Sequence, residues 1–362
     1  MNEKLITAPY LYEQKVGGKL YIMNLMNPKH MIKKTDKVDG ILKYFSELNQ
    51  IPKEYEEDYP LIQQLIEQRA LIKKSNLIFP ALNIELELTN YCNAHCKICP
   101  RIKLTRKKGF LSEENFNRFL QQLKQVHVQE VELCGVGEPL LHKNAANYVQ
   151  RLKMAGIRNV RLVTNASLLT HDVAKKIVDA GIDQIMISFH SINKEKYEGI
   201  MGNLKYQEVL EHIKYLAENY KEQVNIIITC VVNEENKKEV EEFKKFWKEQ
   251  GIENLFFQLM QSRAGILYKR EKEGISERCL VYEQGLFISW DGKYLSCSND
   301  FTGETSWADM EHMTILKCLE YKQKQIKQNK LFSQCAYCDY SFRKEKYYDT
   351  NFYKYAKYQD VK

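Results

Sequence analysis

Cys92, Cys96 and Cys99 stand as C-x3-C-x2-C in the run Thr89-Asn90-Tyr91-Cys92-Asn93-Ala94-His95-Cys96-Lys97-Ile98-Cys99-Pro100. Three thiolates at this spacing are one short of a closed structural zinc site. They suffice to hold three irons of a 4Fe–4S cluster and leave the fourth iron open to a ligand, which is a place for chemistry. The alternative is three cysteines packed at a strand end. A second set, Cys279, Cys297, Cys335 and Cys338, has enough thiols to enclose a cluster or a zinc ion completely. Cys318 lies in a helical stretch with Leu316, Leu319 and Ile326 and reads as packing.

The elements that must position these residues follow from periodicity. Short apolar runs at Ile84–Leu88, Glu130–Leu133, Val160–Val163, Gln184–Ile187, Val224–Ile228 and Leu255–Leu259 read as strands. Helical stripes lie between them, such as Phe116, Leu120 and Leu123; Val173 and Ile177; Val209, Ile213 and Leu216; and Val240, Phe243 and Trp247. Strands alternating with helices imply parallel pairing through right-handed crossovers. The predicted fold is therefore α/β, a partial (β/α)6 barrel with its chemistry at the C-terminal strand ends. The cysteine loop follows the first strand, Gly135-Val136-Gly137-Glu138-Pro139 the second, and Thr164-Asn165 the third, while Ser188-Phe189-His190 ends the fourth.

Four regions are expected: residues 1–80, 81–265, 266–345 and a basic, tyrosine-rich tail at 346–362. In the first, Gly17-Gly18 is a turn into a strand at Leu20–Met23, and two helices carry Ile41, Tyr44, Phe45 and Leu48, then Leu61, Leu65 and Ile66. This β-ribbon with helices predicts a small winged-helix-like module. In the third, Asp291-Gly292 marks a hairpin turn ahead of Cys297.

The chain has 362 residues, 44% hydrophobic and 28% charged, which suits a globular protein of more than one domain. No apolar run approaches the roughly 18 residues of a membrane span, and Met1-Asn2-Glu3-Lys4 opens no signal peptide. A reducing cytoplasm is the expected location, where ten cysteines argue for metal ligation over disulfides. The net charge of +7 is spread over lysine-rich faces, so neither nucleic acid nor membrane is an expected partner. The run Arg101-Ile102-Lys103-Leu104-Thr105-Arg106-Lys107-Lys108 reads as a solvated basic loop or as a gate attracting anionic substrate.

The C-x3-C-x2-C loop, the Gly-x-Gly-Glu-Pro segment and their strand-end positions together resemble the radical S-adenosylmethionine (SAM) superfamily. Residues 279–338 resemble its shortened auxiliary-cluster domain, called twitch, of the SPASM type. The resemblance implies SAM and two 4Fe–4S clusters as cofactors, one cluster on Cys92, Cys96 and Cys99, the other on Cys279, Cys297, Cys335 and Cys338. In that family SAM sits on the open iron and is cleaved to a 5′-deoxyadenosyl radical that takes hydrogen from substrate. The implied SAM contacts are Tyr91, Ile98, Gly135, Gly137, Glu138, Pro139, Thr164, Asn165, Ser188 and Arg263. Core packing or local hydrogen bonding remains the alternative for Tyr91, Ile98, Thr164, Asn165 and Ser188, and a structural ion pair for Arg263. Glycines allow a ligand to approach backbone closely, the role expected for Gly137. Val136 replaces a family glycine, and His190 stands where relatives place an acidic residue, which leaves its role open. Cys134 and Cys230, at strand ends, read as buried core or as hydrogen-atom donors.

The N-terminal module resembles the precursor-recognition domains of enzymes that modify ribosomally made peptides. This implies a maturase performing crosslinking, epimerisation or oxidation, with a precursor peptide and a flavodoxin or ferredoxin as partners. A docked peptide is expected to add a strand beside Leu20–Met23. The alternatives are a small-molecule dehydrogenase resembling the 2-deoxy-scyllo-inosamine dehydrogenase family and a non-catalytic metal-binding protein.

Overall fold

The computed structural model describes residues 4–8, 11–16, 18–24, 27–73, 83–126, 128, 130–269, 279, 281–282, 285–328 and 332–339. Gly17 and the tail at 346–362 lie outside the described residues. Two compact units divide the chain: one comprises Met1–Leu82 and Lys344–Lys362, the other Asn83–Arg343.

The first unit contains β1 (Lys4–Thr7), β2 (Leu11–Val16), β3 (Lys19–Asn24), β4 (Asn27–Lys33), α1 (Asp36–Tyr44), β5 (Asn49–Gln50), α2 (Tyr59–Glu67) and β6 (Leu71–Lys73). It holds two three-stranded sheets, β5-β1-β6 and β2-β3-β4. The Thr35 hydroxyl caps α1 by accepting from Val38 N at 3.2 Å, with Asp36 and Asp39 in the first turn. Leu5, Ile22, Ile32, Ile41, Phe45 and Leu65 come from both sheets and both helices and share one core. Leu20–Met23 lies in β3, the central strand of its sheet, paired to β2 on one side and β4 on the other. The backbone expected to receive a docked strand is thus already hydrogen-bonded, and the outer strands of that sheet are β2 and β4.

The second unit is built on β7 (Asn83–Leu86), α3 (Glu113–Leu123), β8 (Glu130–Leu133), α4 (Ala145–Met154), β9 (Asn159–Thr164), α5 (His171–Asp179), β10 (Gln184–Ser188), α6 (Lys194–Met201), α7 (Tyr206–Tyr220), β11 (Asn225–Val232), α8 (Val240–Glu249) and β12 (Leu255–Leu259). The strands β7 to β12 pair in parallel in chain order, as a (β/α)6 partial barrel requires. Beyond them lie β13 (Gly285–Ile288), β14 (Lys293–Leu295), β15 (Ala308–Asp309) and α9 (Ile315–Lys327). The β13–β14 hairpin turns at Gly292, whose φ of 84° suits glycine. Its first strand pairs in parallel with β7, so the barrel sheet continues into the C-terminal region and reaches nine strands.

Register sorts the strand residues onto two faces. Leu86, Leu133, Leu162, Ile185 and Ile226 form one aligned row. This face meets the helices: Phe257, aligned with Cys230 and hence on the same side, lies edge-on to Phe243 of α8 at 5.6 Å. The opposite face carries Glu85, Glu132, Arg161, Gln184 and Asn225 in another aligned row. Helix α3 buries Phe116, Phe119 and Leu123 rather than Leu120, a rotation by one residue from the expected stripe. No described helix is long and apolar enough to cross a membrane.

Leu162 is fully buried in the middle of the apolar row. Leu162→Ala should cost about 2–5 kcal/mol, read as a lower urea midpoint with an unchanged m-value.

Candidate active site and cysteine centres

The cysteine loop is held from three sides by polar side chains, of which Thr89, Asn90 and Asn165 are buried. Asn90, fully buried, donates from Nδ2 to Lys107 O at 2.8 Å and accepts from Gly109 N at 3.0 Å. The Thr89 hydroxyl donates to Gly109 O at 2.7 Å. Asn93 donates to Ser167 Oγ at 2.7 Å and accepts from Asn165 Nδ2 at 3.0 Å. Behind the loop, Asn203 donates to Asn93 O at 2.7 Å, and a Cβ at Gly202 would meet His95 O at 2.7 Å. Cys92, Cys96 and Cys99 are half-buried free thiols. Burial raises the Cys92 thiol, and burial with the neighbouring Cys99 and Cys92 pushes Cys96 up to about 12. Such a set resists ionisation until a cation arrives, and a coordinated iron supplies that charge. Three unbridged thiols on one braced loop fit a cluster with one open iron.

The glycine-rich segment turns out to serve the chain itself. A Cβ at Gly137 would meet Thr89 O and Tyr91 O, each at 2.3 Å, and Glu138 N donates to Tyr91 O at 2.8 Å. The close approach expected for a ligand is therefore made by the cysteine-loop backbone. Gly135, at φ 142°, packs on Glu87. The buried Glu138 carboxylate accepts from the Thr164 hydroxyl at 2.7 Å, Asn165 N at 2.8 Å and Leu140 N at 3.1 Å. Glu138, Thr164 and Asn165, expected at SAM, thus spend these polar atoms on one another and on Asn93. Pro139 is buried beside them. Tyr91 is 42% exposed and stacks on Phe110 at 5.1 Å, Ile98 is half-buried in the cysteine loop, and Ser188 is half-buried at the end of β10.

Lys103, Lys107 and Lys108 are exposed as a solvated basic loop requires, and Arg106 departs from that reading. Its guanidinium makes a two-pronged pair with Glu87, both bonds 2.9 Å, and the two side chains are 8% and 0% exposed. The same carboxylate accepts from Val136 N at 3.2 Å and Trp290 N at 3.3 Å. His190 is buried and accepts from Val231 N at 3.1 Å. Burial, with Arg263 nearby, lowers it to about 4, so it stays a neutral acceptor.

Sequence motifs missed the polar row on the face away from the helices. Arg161 donates to Glu132 at 2.7 Å, Glu130 at 2.9 Å and Gln184 at 3.1 Å. Beside them the Cys134 thiol donates to Glu85 at 3.7 Å, and burial raises this thiol, so it keeps its proton. The available signal was the alternation Glu85-x-Glu87 and Glu130-x-Glu132, which reads on its own as half-exposed strands. Cys230 aligns with the opposite, helix-facing side and packs against His190 O and Asn236, so it does not join Cys134.

The second cysteine set converges. Cys279, Cys297, Cys335 and Cys338 line one cavity of about 430 Å³, counting its open mouth, together with Ala264, Tyr282 and Phe332. Four thiols around one cavity have the donors to hold either a cluster or a zinc ion. Cys318 is fully buried in α9 and is not one of the lining residues. Arg263, Ala264 and Gly265 take φ of 52°, 56° and 82°, a left-handed turn that carries the chain from β12 past the cavity. Arg263 donates to Asn299 at 3.1 Å, close to Cys297.

Two predictions follow from these contacts. Gly137→Ala should displace the cysteine loop and remove about half of the iron taken up on anaerobic reconstitution, read by iron assay. Burial and the charge of Glu132 raise the Glu85 carboxyl from 4.5 to about 7. Between those values the folded chain holds a proton that the unfolded chain has released, so stability falls as pH rises through that window. Glu85→Gln should lessen this loss when urea midpoints near pH 5 and near pH 8 are compared, the remainder belonging to Glu130, which burial also raises to about 7.

Comparisons with known proteins bear on the same strands and cysteine loop. Residues 86–246 match the family model described as the radical SAM superfamily. A probable GTP 3′,8-cyclase of Saccharolobus islandicus (strain Y.N.15.51 / Yellowstone #2) is 31% identical over 176 residues, 49% of this chain and 56% of that protein. The chain thus spans about half the length of the curated relatives it matches. Streptococcus suis SuiB, solved bound to precursor peptide SuiA, superposes with a TM-score of 0.60 at 14% identity, covering 92% of this chain and 93% of that one. Hexahistidine-tagged anSMEcpe with bound AdoMet gives 0.54 at 18% identity, covering 72% and 84%. At such identities the two structures speak for the fold alone. With the cysteine loop and the parallel strands in agreement with that match, residues 86–246 form a domain of the radical SAM type.

Proposed function

We propose that this chain is a radical SAM maturase that modifies a ribosomally made peptide. The observation that carries the reading is the reach of the fold likeness to SuiB. It covers 92% of this chain, enough to require part of the N-terminal unit, whereas the curated cyclase matches 49%. SuiB was solved with a precursor peptide, and the β2-β3-β4 sheet offers two outer strands whose backbone can pair with an extended peptide.

In this reading Cys92, Cys96 and Cys99 hold a 4Fe–4S cluster, and Cys279, Cys297, Cys335 and Cys338 hold an auxiliary one. When bound, the first cluster and SAM supply a 5′-deoxyadenosyl radical. Asn90, Asn93 and Glu138 keep the cysteine loop rigid at the strand ends, so cluster and substrate meet in fixed geometry. Glu85, Glu132 and Arg161 give the barrel interior a polar, net acidic lining, and Cys134 keeps a thiol hydrogen there for transfer. A flavodoxin or ferredoxin supplies the electrons. A second reading, a nucleotide cyclase, is favoured by the 31% identity through the barrel.

The test uses anaerobically reconstituted protein, expected to carry about eight irons per chain. A peptide translated from a short reading frame beside the gene should accelerate formation of 5′-deoxyadenosine and gain a modification seen by mass spectrometry. Deleting residues 1–82 should abolish that acceleration while leaving slow uncoupled SAM cleavage, because remote binding energy delivers the reacting residue. Acceleration by GTP, with none by peptide, would overturn the maturase reading in favour of the cyclase.

A further inference from the structure

One residue of the four-cysteine cavity carries a buried polar group without a partner among the described residues. Tyr282 lines it and is 3% exposed. The hydroxyl is buried with no hydrogen-bond partner among the described residues. Its ring is boxed in place: Phe332 lies edge-on at 5.4 Å, Trp307 edge-on at 6.4 Å, and Lys322 Nζ sits 4.8 Å over the ring. The hydroxyl therefore has little freedom to swing to water. Burial, then the neighbouring Cys318, Tyr321 and Cys335, raises the phenol above its ordinary 10.0, so it remains a donor. A buried O–H without an acceptor is costly, and native proteins rarely keep one unless a ligand completes the pair.

We propose that the Tyr282 hydroxyl donates a hydrogen bond to a sulfur of the cluster held by Cys279, Cys297, Cys335 and Cys338, and so sets the reduction potential of that cluster. The inference rests on the auxiliary-cluster reading above. Cluster sulfurs, bridging or thiolate, are acceptors that grow more negative on reduction, so a donor stabilises the reduced form and raises the potential. Tyr282 is a positioning and tuning residue in this scheme and touches no substrate. Phe at this position keeps the ring packing against Phe332 and Trp307 and removes only the donor.

The test uses the full chain carrying Cys92→Ala, Cys96→Ala and Cys99→Ala, so that one cluster remains, titrated anaerobically under electron paramagnetic resonance. Tyr282→Phe should retain the iron of that site and shift its midpoint to more negative potential. At the parent's midpoint, well under half of the cluster should then be reduced. An unchanged midpoint with full iron content overturns the inference. If the parent binds zinc or no metal at these cysteines, the auxiliary-cluster reading itself falls, a separate result. Should Tyr282→Phe fail to load iron, resonance Raman spectra of the unsubstituted protein in H2O and D2O decide. A deuterium-sensitive iron–sulfur stretch of the unsubstituted protein supports the hydrogen bond, and the absence of any such stretch overturns it.

Discussion

The Glu87 carboxylate is the contact on which the site depends. It sits fully buried beyond the end of β7 and joins four pieces of chain that are distant in sequence. Arg106 brings the loop after the cysteines, Val136 the glycine-rich segment, Trp290 the hairpin turn, and Glu87 itself the strand leading into the cysteine loop. A buried ion pair is weak evidence for net stability, since desolvation offsets much of its attraction, but losing one partner costs about 3–5 kcal/mol. The pair is better understood as a device for position. Trp290 then packs across Gly109, where a Cβ would lie 2.3 Å from the ring.

Glu138 does for the third strand what Glu87 does for the first. Its three accepted hydrogen bonds fasten the start of the loop after β9, and its own amide holds Tyr91. Burial raises this carboxyl, and the three donors work against that rise. Several family motif positions therefore act through their neighbours. They build a rigid rim around the loop that carries the three thiols.

The two cysteine sets share one sheet. Cys92 follows β7 after a short connection, and Cys297 follows β14, whose partner β13 pairs with β7. The polar row of Glu85, Glu132 and Arg161 runs along the face of that sheet away from the helices. A single parallel pairing thus brings a thiol site at the barrel rim and a second one near its edge into one framework. Evolution of new substrates on such a framework needs changes in the row and the loops, and leaves the sheet intact.

Local chemistry determined much of this by itself. The cysteine spacing, the six strands and the Asp291-Gly292 turn depend on covalent spacing, side-chain period and backbone sterics, all of which act over a few residues. Tertiary structure alone decided which groups face which. Arg106 is written in a basic run, yet a buried carboxylate claims it. Gly137 looks like a ligand cradle, yet its neighbour is the chain's own backbone. Leu20–Met23 reads as a strand, but only the sheet order shows that it is central. Cys134 and Cys230 both stand at strand ends, and only register sends the first to the barrel interior and the second to the helices. In each case the deciding partner lies tens of residues away, and a sequence carries no direct record of that approach.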